Sequence, residues 1–569
     1  MAYDRTKPLI VNKDMTVTAE SEHADYERIR HELCRIAELV KLPGRLHTYR
    51  ISPMSLWNAA AAGMTYERVI QFLQLHSKWD VPAEVCRSIA KIMGRYGLIR
   101  LEEHDGELLL VADGTEFAER LADCPSIRSC LKERLGPNLF SVYPESRGKL
   151  KRELIREGYP AVDLAGYLRG EPLDIRLAER TADGRPFRLR DYQREAVDAF
   201  YDNGSRRGGS GLLVLPCGAG KTVIGIAAMA RVGEACLILT SSGTSVRQWK
   251  REILDKTNLT EEQVGEYTGD RKEVRPVTIA TYQILTHRPS TESDFSHMRL
   301  FQERQWGLII YDEVHLLPAP VFRATAEIQA TRRLGLTATL VREDGREEDV
   351  FSLVGPKRYD VPWKTLERQG WIAEVVCEEV RVPLPESERM RYLRAPARER
   401  HRIAGENPEK LRAVGRLLEN HAGMPALVIG QYLRQLKAIA EAFGAPLVSG
   451  RMKQDEREEW YRRFREGRLP LLVVSKVANF ALDLPDASLA IQVSGSFGSR
   501  QEEAQRLGRI LRPKSGDNTA YFYTVVSADT REQDDAFRRQ MFLLEQGYRY
   551  RIRDISGQAG EGRAETHHA

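Results

Sequence analysis

The sequence predicts an α/β protein, two successive parallel-sheet domains behind a small α+β region. Three observations carry this. Short apolar runs alternate with helical segments twice, from 187 to about 380 and again from 408 to 526. The runs do not alternate apolar with polar, so their strands are buried on both faces, as in parallel sheets. The chain has 569 residues, 42% of them hydrophobic, enough for three or four domains at roughly 150 residues each.

Composition narrows the class. There are 86 Lys and Arg against 81 Asp and Glu, a net charge of +5. That balance permits a polyanionic partner without requiring one. Seven cysteines, at 34, 86, 124, 130, 217, 236 and 377, include no C-x-x-C pair. The spacing argues against a disulfide framework or a zinc site and for a reducing compartment. The first residues, MAYDRTKPLIVNKD, lack the apolar stretch of a signal peptide. No apolar run nears the roughly 18 residues that span a bilayer. A cytoplasmic location is expected.

Residues 26–43 read as an amphipathic helix, with Ile29, Leu33, Ile36, Leu39 and Val40 on one face. Two further helical stretches, TYERVIQFLQLHS and PAEVCRSIAKIMGRYG, precede GLIRLEEHDGELLLVAD, a hairpin pattern around Asp105-Gly106. Helix, helix and β-wing suggest a winged-helix-like accessory domain over 1–124; a small interaction domain fits as well. Residues 125–175 form a short module carrying Lys149, Lys151, Arg152 and Arg156. The first α/β domain is placed at 176–382, with strands GLLVL, CLILT, VTIAT, GLIIY and RLGLTAT. Residues 383–407 are charged and Pro-punctuated and read as a linker or a small helical insert. The second α/β domain, 408–552, holds ALVIG, APLVSG, LLVVSK, LAIQVSG and AYFYTVV. The tail, 553–569, is polar and expected to be disordered.

Chemistry concentrates in three motifs. Leu215-Pro216-Cys217-Gly218-Ala219-Gly220-Lys221-Thr222 lies between an apolar strand and a helix. Such a turn cradles a polyphosphate on backbone N–H groups, although Leu215 stands where the common pattern has Gly. Lys221 would reach the β- and γ-phosphates and Thr222 would ligate Mg²⁺. Asp312-Glu313-Val314-His315 ends another apolar strand. Asp312 would hold Mg²⁺ and Glu313 would activate water, with His315 counted in the catalytic group; acidic pairs also cap helices for structural reasons. In QRLGRILR, Gln505, Arg509 and Arg512 fall at i, i+4 and i+7, one stripe if the segment is helical. Two guanidiniums there could stabilise charge on a γ-phosphate. Gly508 leaves room for another backbone to approach. The three motifs point to ATP hydrolysis with Mg²⁺ in a cleft between the two α/β domains.

These residues resemble the XPB family of superfamily 2 DNA helicases, in its bacterial form, over roughly 25–550. The resemblance extends to Leu189-Arg190-Asp191-Tyr192-Gln193, Val246-Arg247-Gln248-Trp249-Lys250, Ala280-Thr281-Tyr282, Leu336-Thr337-Ala338-Thr339-Leu340-Val341-Arg342-Glu343-Asp344, Ser475-Lys476 and Leu482-Asp483-Leu484-Pro485. It implies two RecA-like motor domains and an ATP-dependent 3′–5′ DNA helicase or duplex-melting translocase with a repair role. Arg190 and Gln193 would then recognise adenine, Asp483 would sit near the ribose, and Thr337 and Thr339 would couple hydrolysis to domain movement. Arg509 and Arg512 would act as arginine fingers, with Gln505 at the γ-phosphate or the DEVH turn. Arg342, Glu343 and Asp344 would help open duplex; as residues alone they equally suit a surface ion-pair cluster. Candidate strand contacts are Ser242, Arg247, Gln248, Thr281, Ser449, Ser475 and Lys476, residue types that equally serve as caps. Trp249 reads as helix packing. The resemblance assigns 125–175 to a damage-recognition module and 383–407 to a very short thumb. Partners would be single-stranded and forked DNA and a nuclease, with nucleoid association when on DNA. The alternatives are an RNA-dependent ATPase and a non-catalytic ATP-gated scaffold for a nuclease.

Overall fold

The computed structural model describes residues 3–41, 45–288, 295–329, 331–339, 347–475, 487–495, 500–508, 510–513 and 518–555. Two seven-stranded parallel sheets dominate it. The first runs, edge to edge, Val264–Tyr267, Val277–Thr281, Cys236–Thr240, Leu308–Asp312, Arg332–Thr337, Ser210–Val214 and Lys357–Asp360. Its central strands are buried throughout; Leu308, Ile309, Ile310 and Tyr311 are all inaccessible. Helices on both faces close off the sheet, so a run of apolar residues is what each strand needs.

The second sheet runs Leu447–Val448, Leu471–Ser475, Ala426–Gly430, Leu489–Gln492, Thr519–Ser527, Glu374–Val382 and Tyr550–Asp554. The strand Glu374–Val382 moves a boundary. It was expected in the first α/β domain, but its partners are Thr519–Ser527 and Tyr550–Asp554. The chain therefore crosses between halves after the helix Trp363–Arg368, and the expected border at 382 falls inside the second half. Residues 383–407 form two helices, Glu386–Arg394 and Ala397–Gly405. They close on a small core of Tyr392, Ala395, Ile403 and Ala404.

Two smaller sheets precede the halves. One is antiparallel, ordered Leu9–Val11, Thr16–Glu20, Leu46–Arg50 and Glu38–Lys41. The helix expected over 26–43 stops at Ile36. Leu39 and Val40 continue as a strand paired with Leu46–Arg50. Residues 38–41 match either period over so few positions. Helices Pro53–Ala61, Tyr66–His76 and Ala83–Met93 follow. The second small sheet has Ile99–His104 and Glu107–Ala112 as its hairpin, turning at Asp105 and Gly106, both with positive φ. That hairpin pairs with Leu139–Val142 and Val162–Asp163. The border expected at 124 therefore falls inside one sheet.

This sheet is docked on the first half by its helix Arg147–Arg156. Gly148 lies so close to the helix Ala319–Glu327 that a Cβ would stand 2.3 Å from Ala326 O. Beside it, Asp163 is buried between Arg147 at 2.6 Å and Lys151 at 3.1 Å, and Lys151 Nζ donates to Gln329 Oε1 at 2.9 Å. Burial favours a neutral Asp163, but Lys151 and Arg147 outweigh it and hold the carboxyl well below the usual range. Burial pushes the Lys151 ammonium down to about 8, with Asp163 opposing. The helix Tyr26–Ile36 reaches the second half, where buried Arg30 donates to the carbonyl of Glu545. No helix among the described residues is long and apolar enough to cross a membrane.

Candidate nucleotide site between the two halves

The site forms at the carboxyl ends of adjacent parallel strands, where an open α/β sheet leaves a crevice. Ser210–Val214 leads into the phosphate loop, and Leu215 N–H donates to Thr337 O at 3.0 Å. Leu215 is fully buried; an apolar residue rather than Gly suits a position that continues the sheet. Gly218 and Gly220 have φ of 83° and 78°. L-residues with a Cβ avoid that region, so these two glycines set the loop's curl. The helix Lys221–Val232 begins at once, with Lys221 and Thr222 in its first turn.

The strand Leu308–Asp312, on the far side of Arg332–Thr337 in the sheet, delivers the acidic pair. Glu313 adopts a left-handed conformation, φ 52° and ψ 55°, uncommon for a residue with a side chain. The turn aims its carboxylate back at the loop, 3.7 Å from Lys221 Nζ. Glu313 Oε2 is buried and accepts no hydrogen bond among the described residues. His315 Nδ1 lies 3.5 Å from that oxygen and 2.8 Å from Thr337 Oγ1. Thr337 Oγ1 in turn donates to Thr339 O at 2.5 Å. The Thr-Ala-Thr segment is thus tied to the acidic turn through His315.

Asp312 is held from two sides. Trp249 Nε1–H donates to Asp312 Oδ2 at 2.9 Å, and Tyr282 Oη–H donates to Asp312 O at 2.9 Å. Burial, then the charge of Glu313, pushes the Asp312 carboxyl up to about 6, with Trp249 and Lys221 pulling the other way. Two adjacent carboxylates, one with an orphaned buried oxygen, suit a divalent cation and a water, so the donor set fits Mg²⁺.

Upstream, both ends of the Gln193 amide are hydrogen-bonded. Its Oε1 accepts from Arg190 N–H at 3.0 Å and its Nε2 donates to Ala219 O at 3.1 Å. Tyr192 Oη–H donates to the same carbonyl at 2.7 Å. Gln193 therefore braces the phosphate loop in this state. The Arg190 guanidinium lies over Trp371, 4.4 Å from the ring centroid.

The second half closes the site. A Cβ at Gly508 would stand 2.2 Å from Cys217 Cβ, so the expected close approach is made by the phosphate loop itself. The helix Arg500–Leu507 ends there, and Arg512 lies beyond it. The helix expected to carry Gln505 through to Arg512 ends at Leu507, so those two do not share one helical stripe. Arg512 is half-buried; burial lowers its guanidinium below the ordinary value, while Glu252 opposes and Arg251 and Arg465 add to it. Glu252 and Arg251 belong to the first half, so Arg512 faces across the cleft.

Other candidates are placed unevenly. Arg247 pairs with Glu458 of the second half. Gln248 is half-buried on the same helix, Gly243–Lys256. Ser242 and Thr281 each cap a helix, accepting from Ser245 N–H and Ile284 N–H. Ser449 is half-buried, and the buried Ser475 hydroxyl finds no partner among the described residues. Arg342, Glu343, Asp344, Lys476, Asp483, Arg509 and the side chain of Gln505 lie outside the described residues. Trp249 does pack, being 1% exposed, but it also orients Asp312. A buried indole N–H needs an acceptor, and that was the available signal. Trp371, in the crossover between halves, was missed because nothing in Gln369-Gly370-Trp371 announces it.

A family model described as ERCC3/RAD25/XPB C-terminal helicase matches residues 366–566. Models described as a helicase conserved C-terminal domain and as the res subunit of type III restriction enzymes match 9–136 and 186–342. A protein of Kineococcus radiotolerans named DNA 3'-5' helicase XPB is 52% identical over 549 residues, covering 96% of each chain. One of the same name from Mycobacterium tuberculosis is 50% identical over 554 residues, 97% of this chain and 99% of that one. A more distant relative, from Antonospora locustae, is 34% identical over 585 residues, 98% of this chain and 84% of its own. It is named a general transcription and DNA repair factor IIH helicase/translocase subunit XPB.

Proposed function

The chain belongs to the XPB family of helicases, and on that premise we propose that it is an ATP-dependent 3′–5′ DNA helicase that melts duplex in DNA repair. One observation supports this most: Lys221, Asp312 and Glu313 converge at the carboxyl end of the first sheet, with Glu313 Oε1 3.7 Å from Lys221 Nζ and its Oε2 buried without a hydrogen-bond partner among the described residues. A buried unsatisfied carboxylate oxygen is destabilising, and an attacking water would satisfy it.

In this reading ATP lies between the halves, its phosphates on residues 215–222 and on Lys221. Thr222 and Asp312 hold Mg²⁺, which when bound offsets phosphate charge. Glu313 Oε2 takes the proton of the water as its oxygen bonds to the γ-phosphorus and the bond to the leaving oxygen of ADP breaks. Arg509 and Arg512 supply positive charge from the second half, with Gln505 near the γ-phosphate. Arg190, released from Trp371, and Gln193 contact the base; Asp483 lies near the ribose. Arg247, Gln248, Thr281, Ser475 and Lys476 follow one strand's phosphates, and Arg342, Glu343 and Asp344 part the duplex. The contact Cys217–Gly508 is made when the halves close and lost when they open, so the two grips on the strand move relative to each other.

The protein would be cytoplasmic and nucleoid-bound when engaged. ATP turnover measured with DNA and RNA strands of equal length tests the track. DNA stimulates it in this reading; stimulation by RNA alone contradicts it.

A further inference from the structure

Two segments placed on the DNA track by the proposed function both end on one residue of the ATP site, Asp312. Arg247 and Gln248 sit on the helix Gly243–Lys256, and the next residue, Trp249, donates to Asp312 Oδ2 at 2.9 Å. Thr281 ends the strand Val277–Thr281, and the next residue, Tyr282, donates to Asp312 O at 2.9 Å. Trp249 and Tyr282 are 1% and 3% exposed, so neither reaches a strand itself.

The indole is also wedged. A Cβ at Gly225, on the helix that follows the phosphate loop, would stand 2.5 Å from Trp249 Cη2 and 3.3 Å from Leu336 Cδ1. The ring therefore lies tight against the phosphate-loop helix. A shift of the Gly243–Lys256 helix cannot be absorbed by rotation of the ring, and it carries the N–H with it. Close packing transmits such displacements rather than damping them.

We propose that Trp249 and Tyr282 are positioning residues that set the Asp312 carboxylate according to whether a strand is bound, and so couple DNA binding to ATP turnover. This rests on the reading of Asp312 as the Mg²⁺ ligand. With the helix seated by a strand's phosphates, Trp249 holds Oδ2 and leaves Oδ1 directed to the cation. Tyr282 fixes the backbone carbonyl of the same residue, so the side chain pivots on a held main chain. A hydrogen bond to a charged group contributes enough for about a tenfold effect on a rate.

Trp249→Phe and Tyr282→Phe each remove one N–H or O–H and keep the ring. Three quantities are measured for each: the ratio of ATP turnover with saturating single-stranded DNA to turnover without it, DNA affinity by fluorescence anisotropy, and the tightening of a non-hydrolysable ATP analogue by Mg²⁺ relative to EDTA. The expected result for Trp249→Phe is a roughly tenfold drop in the DNA-stimulation ratio. Basal turnover falls less than DNA-stimulated turnover, DNA affinity stays near wild type, and Mg²⁺ tightens the analogue less. Tyr282→Phe shows the same pattern more weakly, and it decides the matter if Trp249→Phe does not fold. An unchanged stimulation ratio in both variants overturns the proposal, as does a loss confined to DNA affinity. Asp312→Asn separates the two claims. Retained hydrolysis in that variant sinks the assignment of Asp312 itself; abolished hydrolysis with normal stimulation in Trp249→Phe sinks only the coupling.

Discussion

Gly508→Ala puts one methyl group where the two halves touch. Built on the backbone, that carbon stands 2.2 Å from Cys217 Cβ, 2.7 Å from Cys217 Sγ and 3.2 Å from Ala504 O. Carbon atoms in contact prefer about 3.5–4.0 Å, so the Cβ pair must separate by more than about 1 Å. The sulfur can rotate away, but Cys217 Cβ is fixed to the phosphate loop, whose curl is set by Gly218 and Gly220. The strain therefore falls on the contact between halves. Overpacking of this kind costs about 1–3 kcal/mol. At about 1.4 kcal/mol per tenfold, the closed state becomes roughly 5- to 150-fold rarer. Steady-state turnover should fall by a factor in that range. Binding of ATP to the phosphate loop, followed with a fluorescent analogue, should change little, because Lys221 and Thr222 are untouched. Cys217→Gly removes the opposing carbon, so the double variant should recover most of the lost rate. Wild-type turnover in Gly508→Ala would show that the hydrolysing state does not contain this contact. Failure of Cys217→Gly to rescue would show that overlap is not the cause.

Other outcomes follow from the same coordinates. Asp163→Asn leaves Arg147 and Lys151 buried without their counter-charge and should destabilise the docking of the 99–163 sheet by about 3–5 kcal/mol, read as faster amide exchange in the helix Arg147–Arg156. In the wild type, Asp163 titrates below its ordinary value, so its stabilisation is present above about pH 4 and is lost as pH falls further. Lys151 is lowered from 10.5 to about 8. Between those values the unfolded chain binds the extra proton, so docking strengthens as pH rises through that window, and Lys151→Met should remove the slope. Trp371→Ala removes the ring that holds Arg190 away from the base and should lower KM for ATP several-fold with little effect on kcat at saturation; an unchanged KM would show that Trp371 does not hold Arg190 back.

The sequence showed more of the site's chemistry than of its assembly. Residues 215–222 and 312–315 were legible because each lies on one uninterrupted turn, where neighbours in sequence are neighbours in space. The stripe expected at 505–512 assumed that the helix continues, but it ends at Leu507, next to the close approach of Gly508 to Cys217. Trp249 was visible as a buried ring, yet its acceptor is 63 residues away on another strand. The strand Glu374–Val382 looked like the end of the first α/β series. Only its pairing with Thr519–Ser527, far along the chain, assigns it to the second sheet. The sheet over 99–163 was split at 124 for the same reason: Glu107–Ala112 pairs with Leu139–Val142 across two intervening helices. Local signals fix turns and elements; pairings between distant segments are set by burial, which the order of residues does not display.

The central claim is that hydrolysis at Glu313, in a cleft closed by the second half, drives strand separation. Strand displacement from a 3′-tailed duplex, compared between wild type and Glu313→Gln with ATP binding measured on the same samples, tests it directly. The account predicts that wild type displaces the strand only with hydrolysable ATP, and that Glu313→Gln binds ATP comparably and displaces none. Displacement by Glu313→Gln at the wild-type rate would contradict it.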